Sequence, residues 1–205
     1  NDNGTVNWLD GNIDVDPLFI DTENGDYHLQ DYSLLIGAGI DSVEIDGTWY
    51  YAPDTDIEGN PRPNPENTNP DIGAYENALG TPAYMPQLIN VPTDYSTIQA
   101  ALTAANATDT VLVQPGTYTE NIIWPETNGI KLISAGDSSN TIIDGGGTSS
   151  VIYMNPQTAT IDTTTLIQGF KITNGGDVYY GGGFYLNNAS PKKMDLTVSY
   201  NVTNN

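Results

Sequence analysis

The sequence predicts an all-β fold: a parallel β-helix, in which short strands wind into a solenoid, with a short amphipathic capping helix and an irregular Pro/Asn-rich closing segment. Three observations predict it. Short apolar runs recur along the second half of the chain, glycines and asparagines cluster between them, and a single stretch carries helical periodicity. Each run is too short for a helix and is bounded by turn-forming residues, which is the local signature of strands.

Asp109 to Asn121, DTVLVQPGTYTEN, shows the plan in one stretch. Val111, Leu112 and Val113 supply a strand, Pro115-Gly116 turn it, and Thr117, Tyr118 and Thr119 alternate through the next. Just upstream, Ile98, Ala101, Leu102 and Ala105 form an i, i+3, i+4, i+7 stripe, so a helix is expected over Ser96 to Ala105. Ser96 is its expected N-cap, with Gln99 completing a capping box. A one-faced helix before the first rung would cover an open solenoid edge and keep it from pairing with other chains.

Beyond the first rung, apolar runs fall at 122–124, 130–134, 141–144, 151–154, 166–172, 184–186 and 196–200. Ile143-Asp144-Gly145 returns as Ile167-Gln168-Gly169, a period expected to mark one coil. Glycines at 145–147, 175–176 and 181–183 mark the corners, and Asn174, Asn187, Asn188 and Asn201 stand near them as candidates for an amide ladder. The first 49 residues alternate apolar clusters with Asp, Asn and Gly. Tyr50 to Pro70 then holds five prolines, which remove backbone donors and make it an ordered loop or cap. A last short strand is expected at Asp71 to Glu76, DIGAYE. The organisation is therefore 1–78, a closing coil and cap; 79–95, a linker and lead-in; and 96–205, a capping helix and opening coils.

VPTDYSTIQAALTAANATDTVLVQPGTYTENI, Val91 to Ile122, resembles the cap helix and opening coil of the pectin-lyase-like, right-handed parallel β-helix proteins. Gly11 to Gln30, with DIEGNPRP at Asp56 to Pro63 and DIGAYE, is similar to the segment that closes such domains. Ser33 to Gly39, SLLIGAG, departs from the usual Ser-Pro-Ala-Ile-Asp-Ala-Gly. The resemblance implies a secreted or cell-surface protein. The order is reversed, with the closing signature first, and VSYNVTNN read into NDNGTVNWLDGN forms one continuous β-helix pattern. A period of a tandem array, a circular permutant, and a subunit that completes its neighbour's solenoid all account for that order. In the first and last of these, copies stack head to tail, and such a contact need not close.

With 26 acidic against 5 basic residues, a net charge of −21 excludes nucleic acid and anionic membranes as partners and favours cations. No cysteine is present, so neither disulfides nor thiolate metal sites form. No apolar run approaches the roughly 18 residues a transmembrane helix needs. Asp14, Asp16, Asp21, Glu23 and Asp26 carry oxygen ligands suited to calcium, although no complete EF-hand loop is present and turn chemistry is the plainer reading. Asp54, Asp56 and Glu58 alternate as though on one strand face.

Arg62, between Pro61 and Pro63, has the planar fork to clamp a uronic carboxylate, or to pin its loop to Asp56 or Asp71. Lone His28 reads as a packing residue, because no nucleophile accompanies it. Asp144 and Asp177 are possible carboxylates for glycoside hydrolysis, Asp144 lying in a Gly-rich turn. Tyr179-Tyr180, Tyr185, Trp49-Tyr50-Tyr51 and Trp124 are candidates for sugar stacking, with core stacks as the plainer reading. Asn3, Asn106, Asn188 and Asn201 head N-x-S/T sequons and are the candidate glycosylation sites.

No catalytic constellation emerges. The expected function is that of a non-enzymatic, extracellular or cell-surface β-helix whose copies assemble head to tail. The alternative is a pectin-lyase-like carbohydrate-active enzyme or polysaccharide-binding module that uses Arg62 and Asp144.

Overall fold

The computed structural model describes residues 13–176 and 181–202. The chain divides into two compact units at the Met85/Pro86 boundary. It is mostly strand and turn, with parallel sheets and one α-helix.

The first unit carries two antiparallel pairs. β1 (Phe19–Asp21) pairs with β2 (Asp26–Leu29), and β3 (Ser42–Ile45) with β4 (Thr48–Tyr51). Asp46 and Gly47, at φ 50° and 80°, turn the second hairpin, as its right-handed twist requires. The core of this unit is small: Leu29, Leu35 and Ile36, with Phe19 and Leu79 against them. Asp71 to Glu76 is a series of bends and not the expected strand, because the carboxylates at its two ends fold inward to take backbone N–H groups.

In the second unit β5 (Leu88–Val91) precedes α1 (Ile98–Ala104) and lies inside the stretch read as linker and lead-in. Then follow β6 (Thr110–Val113), β7 (Gly116–Thr119), β8 (Ile122–Ile123), β9 (Lys131–Ser134), β10 (Thr141–Asp144), β11 (Ile152–Met154), β12 (Leu166–Gln168), β13 (Lys171–Thr173), β14 (Phe184–Leu186), β15 (Lys192–Met194) and β16 (Thr197–Ser199). From β6 onward, consecutive strands are dealt in turn to three parallel sheets, ordered β15-β12-β9-β6-β5, β16-β13-β10-β7 and β14-β11-β8.

Register stacks like on like. Ile89, Val111, Leu132 and Ile167 form one column, Tyr118, Ile143 and Ile172 a second, and Ile122, Ile152 and Phe184 a third. Val111, Leu132, Ile167, Ile143, Ile172, Ile122 and Ile152 are wholly buried. Each such side chain contributes about 1.5–3 kcal/mol by leaving water. The corners bring neighbouring passages together backbone on backbone: a Cβ on Gly176 would lie 1.8 Å from the Gly147 carbonyl oxygen, so only glycine fits there.

Further expectations are corrected. The 166–172 run is two strands of two different sheets, separated by Gly169 (φ 81°) and Phe170. Ile143 stacks on Ile172 and Ile167 on Leu132, so the paired Ile-x-Gly triplets occupy different sheets and are not one coil apart. Thr97, not Ser96, caps the helix, its hydroxyl accepting the Ala100 N–H at 3.1 Å. Gln99 completes no capping box. Its side-chain amide instead accepts the Ile123 N–H at 2.7 Å and donates to the Ile123 carbonyl at 3.0 Å, standing in for a neighbouring strand on the edge of β8. Glu120 accepts the Ile98 and Gln99 N–H groups at 3.0 and 2.9 Å and so completes the helix N-terminus. Ile98, Ala101, Leu102 and Ala105 all face the core.

Candidate functional site

Three carboxylates of the acidic run, Asp16, Asp21 and Asp26, accept hydrogen bonds from their own turns. Asp16 accepts the Leu18 N–H at 2.9 Å, and Asp21 caps a single 3-10 turn, Thr22–Asn24, through the Asn24 N–H and side-chain amide. Asp14 and Glu23 are exposed. Asp26 accepts the His28 N–H at 3.0 Å and faces His28 Nδ1 at 2.7 Å. Among the described residues, no three His, Asp or Glu side chains converge on a point where a metal ion would sit.

His28 is part of a clasp. Its Nε2 lies 3.3 Å from Glu58, and its ring packs at a tilt of 36° against Tyr75, with centroids 4.0 Å apart. The Asp26 contact, assisted by Glu58, raises the imidazole pKa above 6.5, and the His28 backbone and side chain in turn lower that of Asp26.

A second polar cluster in this unit surrounds Arg62. Its Nε donates to Glu76 at 2.5 Å and its Nη2 to the Gly73 carbonyl at 2.7 Å. Glu76, whose side chain is fully buried, also accepts the Asn64 and Asp71 N–H groups. Arg62 therefore pairs with Glu76 and not with Asp56 or Asp71. Asp56 turns inward, away from exposed Asp54 and Glu58, so the three share no common face. Burial pushes the Asp56 carboxyl up, but hydrogen bonds from the Asn60 side chain and from the N–H groups of Glu76, Asn60 and Glu58 outweigh it and leave its pKa at about 2. Asp71 goes the other way: burial raises it despite bonds from Asn77 N–H and Gly37 N–H, both at 2.7 Å.

In the second unit, carboxylates and amides join successive passages of the chain. Asp144 accepts the Gly146 N–H at 2.8 Å and the Asn174 side-chain amide at 2.9 Å, so it serves a corner. Arg62 and Asp144 belong to different units. Asp177 lies outside the described residues. Glu126, absent from the sequence reading, accepts the N–H groups of Gln157, Thr158 and Ala159; the Thr158 and Gln157 bonds chiefly lower its pKa to about 2. Asn187 donates to Asn155 at 2.7 Å, beside Tyr153 and Tyr185 stacked at 4.8 Å, so one amide step and one aromatic step run in parallel.

The aromatic candidates separate. Trp124 is core, 5 % exposed, and offers no sugar platform, whereas Trp49, Tyr50 and Tyr51 are exposed on β4. Tyr179 and Tyr180 lie outside the described residues. Among the sequons, Asn106 is exposed at the end of α1. The Asn188 amide donates to the Ala159 carbonyl, and the Asn201 amide to the Ile172 and Ser199 carbonyls, so both already serve corners. Asn3 lies outside the described residues.

No family model, curated protein or solved structure matches this chain. Its functional reading rests on geometry. No helix among the described residues is long and apolar enough to cross a membrane. In both units Asp16, Asp21, Asp56, Asp71, Glu76, Glu126 and Asp144 accept hydrogen bonds from backbone N–H groups at turns and corners.

The two ends of the parallel sheets differ. At one end, the outer edge of β8 is taken by the Gln99 amide, while at Asn90 of β5 the N–H donates to the Asp94 carboxylate and the carbonyl accepts from the Asp94 and Tyr95 N–H groups. At the other end, no strand among the described residues pairs with the outer edges of β14, β15 or β16. The buried columns end there on exposed Lys193 and on Val198, 52 % exposed.

Proposed function

We propose that this is a non-enzymatic structural protein of the extracellular space or cell surface. In this reading its second unit is a right-handed parallel β-helix, and its copies stack head to tail into a filament or array. The observation that carries the reading is the open end at β14, β15 and β16. Three parallel edges to which no strand among the described residues pairs, over a column ending in Val198, offer a template for further strands. The proposed occupant is a second copy, whose residues 1–78 resemble the segment that closes such a solenoid. A heterologous contact of this kind propagates without closing.

The test is electron microscopy of the purified protein over a concentration series, with and without a calcium chelator. Filaments are expected, with a repeat set by stacked strands about 4.8 Å apart. Val198→Asp, a change on an exposed residue, should disperse them and leave the circular dichroism unchanged. Single particles at every concentration, with and without calcium, would sink the reading.

A further inference from the structure

We propose that a pocket on the first unit binds a neutral sugar unit of a polysaccharide. The pocket, about 270 Å³, is lined by Asp41, Tyr51, Pro53, Asp54, Arg62 and Pro63, among others. Its walls supply the three things a pyranose asks for. Tyr51 and the prolines give apolar and aromatic surface for the C–H faces of the ring. Asp41 and Asp54 line the pocket with acceptors for hydroxyl protons, and both are exposed. Arg62, held by Glu76 and Gly73 through Nε and Nη2, also lines the pocket, and in this proposal its remaining N–H groups are the donors for a hydroxyl oxygen.

Charge selects the class of sugar. The guanidinium is already neutralised by Glu76 at 2.5 Å, so the net field of the pocket is that of two carboxylates, which repels a uronic acid. A neutral polyol uses both signs.

The β3–β4 hairpin extends the site. None of its apolar side chains joins the Leu29, Leu35 and Ile36 cluster, and a two-stranded hairpin is marginal in water without a covered face. Trp49 and Tyr51, 56 % and 74 % exposed, lie two residues apart on one face of β4, with ring centroids 6.5 Å apart and planes 27° from parallel. Tyr51 thus belongs to the pocket and to a short aromatic rail leading out of it. That arrangement fits a chain of sugars better than a monosaccharide.

The experiment is native electrophoresis of the full chain through gels containing xyloglucan, galactomannan, laminarin or arabinan, with polygalacturonate as the acidic counterpart and Trp emission read in parallel. Retardation is expected in at least one neutral gel and not in polygalacturonate, with a shift in Trp emission. Tyr51→Ala and Asp54→Asn, both at exposed residues, should each weaken binding about tenfold and leave the circular dichroism intact. Absence of retardation in all four neutral gels, binding that survives both substitutions, or a preference for polygalacturonate would each overturn the proposal. Val198→Asp should leave glycan binding unchanged, so loss of assembly and loss of binding are read separately.

Discussion

The two units solve the same problem of small-strand architecture by different means. In the second, apolar columns such as Val111–Leu132–Ile167 lie at the centre of parallel sheets, and the strands satisfy one another's backbone groups. In the first, three buried aliphatic residues make the core, and the order of the Pro-rich loop comes from Asp56, Asp71 and Glu76 accepting backbone N–H groups, with Arg62 donating to Glu76 and to the Gly73 carbonyl. Where a segment has few strand partners and five prolines between 50 and 70, its donors need side-chain acceptors, and buried carboxylates supply them. The difference teaches that the first unit depends on charge state and the second on volume.

The largest effect that would break this contrast is expected at Arg62. Arg62→Ala leaves the Glu76 carboxylate buried without its cation and should cost about 3–5 kcal/mol in denaturant unfolding monitored by Tyr75 and Trp49 emission. A loss below about 1 kcal/mol would place the stability of the first unit elsewhere. Leu132→Ala is the counterpart in the parallel sheets and should cost about 2–5 kcal/mol, depending on how far the columns collapse into the space. Its cost should be the same at pH 3 and pH 7, since Ile89, Val111, Leu132 and Ile167 are all apolar and Lys193, which ends the column, stays protonated across that range.

Acid should separate the units next. Asp56 has a folded pKa of about 2 against 3.8 when free, so its contribution is complete above pH 3.8 and is lost as pH falls through about 2. Asp71, raised by burial, has the opposite sign: its protonation on acidification favours the folded form and partly offsets the loss. Probes in the first unit should therefore lose protection between pH 4 and 2, and Asp56→Asn should flatten that dependence. His28, raised above 6.5, contributes stability that is complete below pH 6.5 and is lost as pH rises through its folded pKa. Hydrogen exchange at the Glu58 and Asn60 amides would follow both arms.

The smallest effect is expected at the helix. Thr97→Ala removes one cap bond and should cost about 1 kcal/mol. Gln99→Ala should cost a similar amount and also free the β8 edge, so an increase in side-to-end association of filaments would sharpen the comparison between the covered and uncovered ends.

Much of the second unit was legible. The Pro115-Gly116 corner, the alternation on either side of it, and the helical stripe of Ile98, Ala101, Leu102 and Ala105 are local patterns, and backbone sterics with side-chain periodicity act on them over a few residues. β15 was missed because Lys192-Lys193-Met194 carries no apolar pattern; the strand is held by register with Leu166, Ile167 and Gln168. Glu120, Glu126 and Glu76 were not singled out, although each follows or precedes a turn signal where orphan N–H groups collect. The exposed aromatic face of β4 and its neighbouring pocket were visible only as a Trp-Tyr-Tyr string.

By itself the sequence determined the strand-rich class, the single helix, the acidic surface charge, and the corners where glycine is required. The tertiary structure alone decided which strand stacks on which, because the connections between strands range from two residues between β12 and β13 to longer loops elsewhere, and a variable loop erases any fixed spacing between stacked positions. It alone decided that Arg62 meets Glu76, that Thr97 rather than Ser96 caps the helix, and that Gln99 closes a strand edge. Those choices depend on which polar groups lose water together, and desolvation is a property of the packed chain rather than of any one stretch of it.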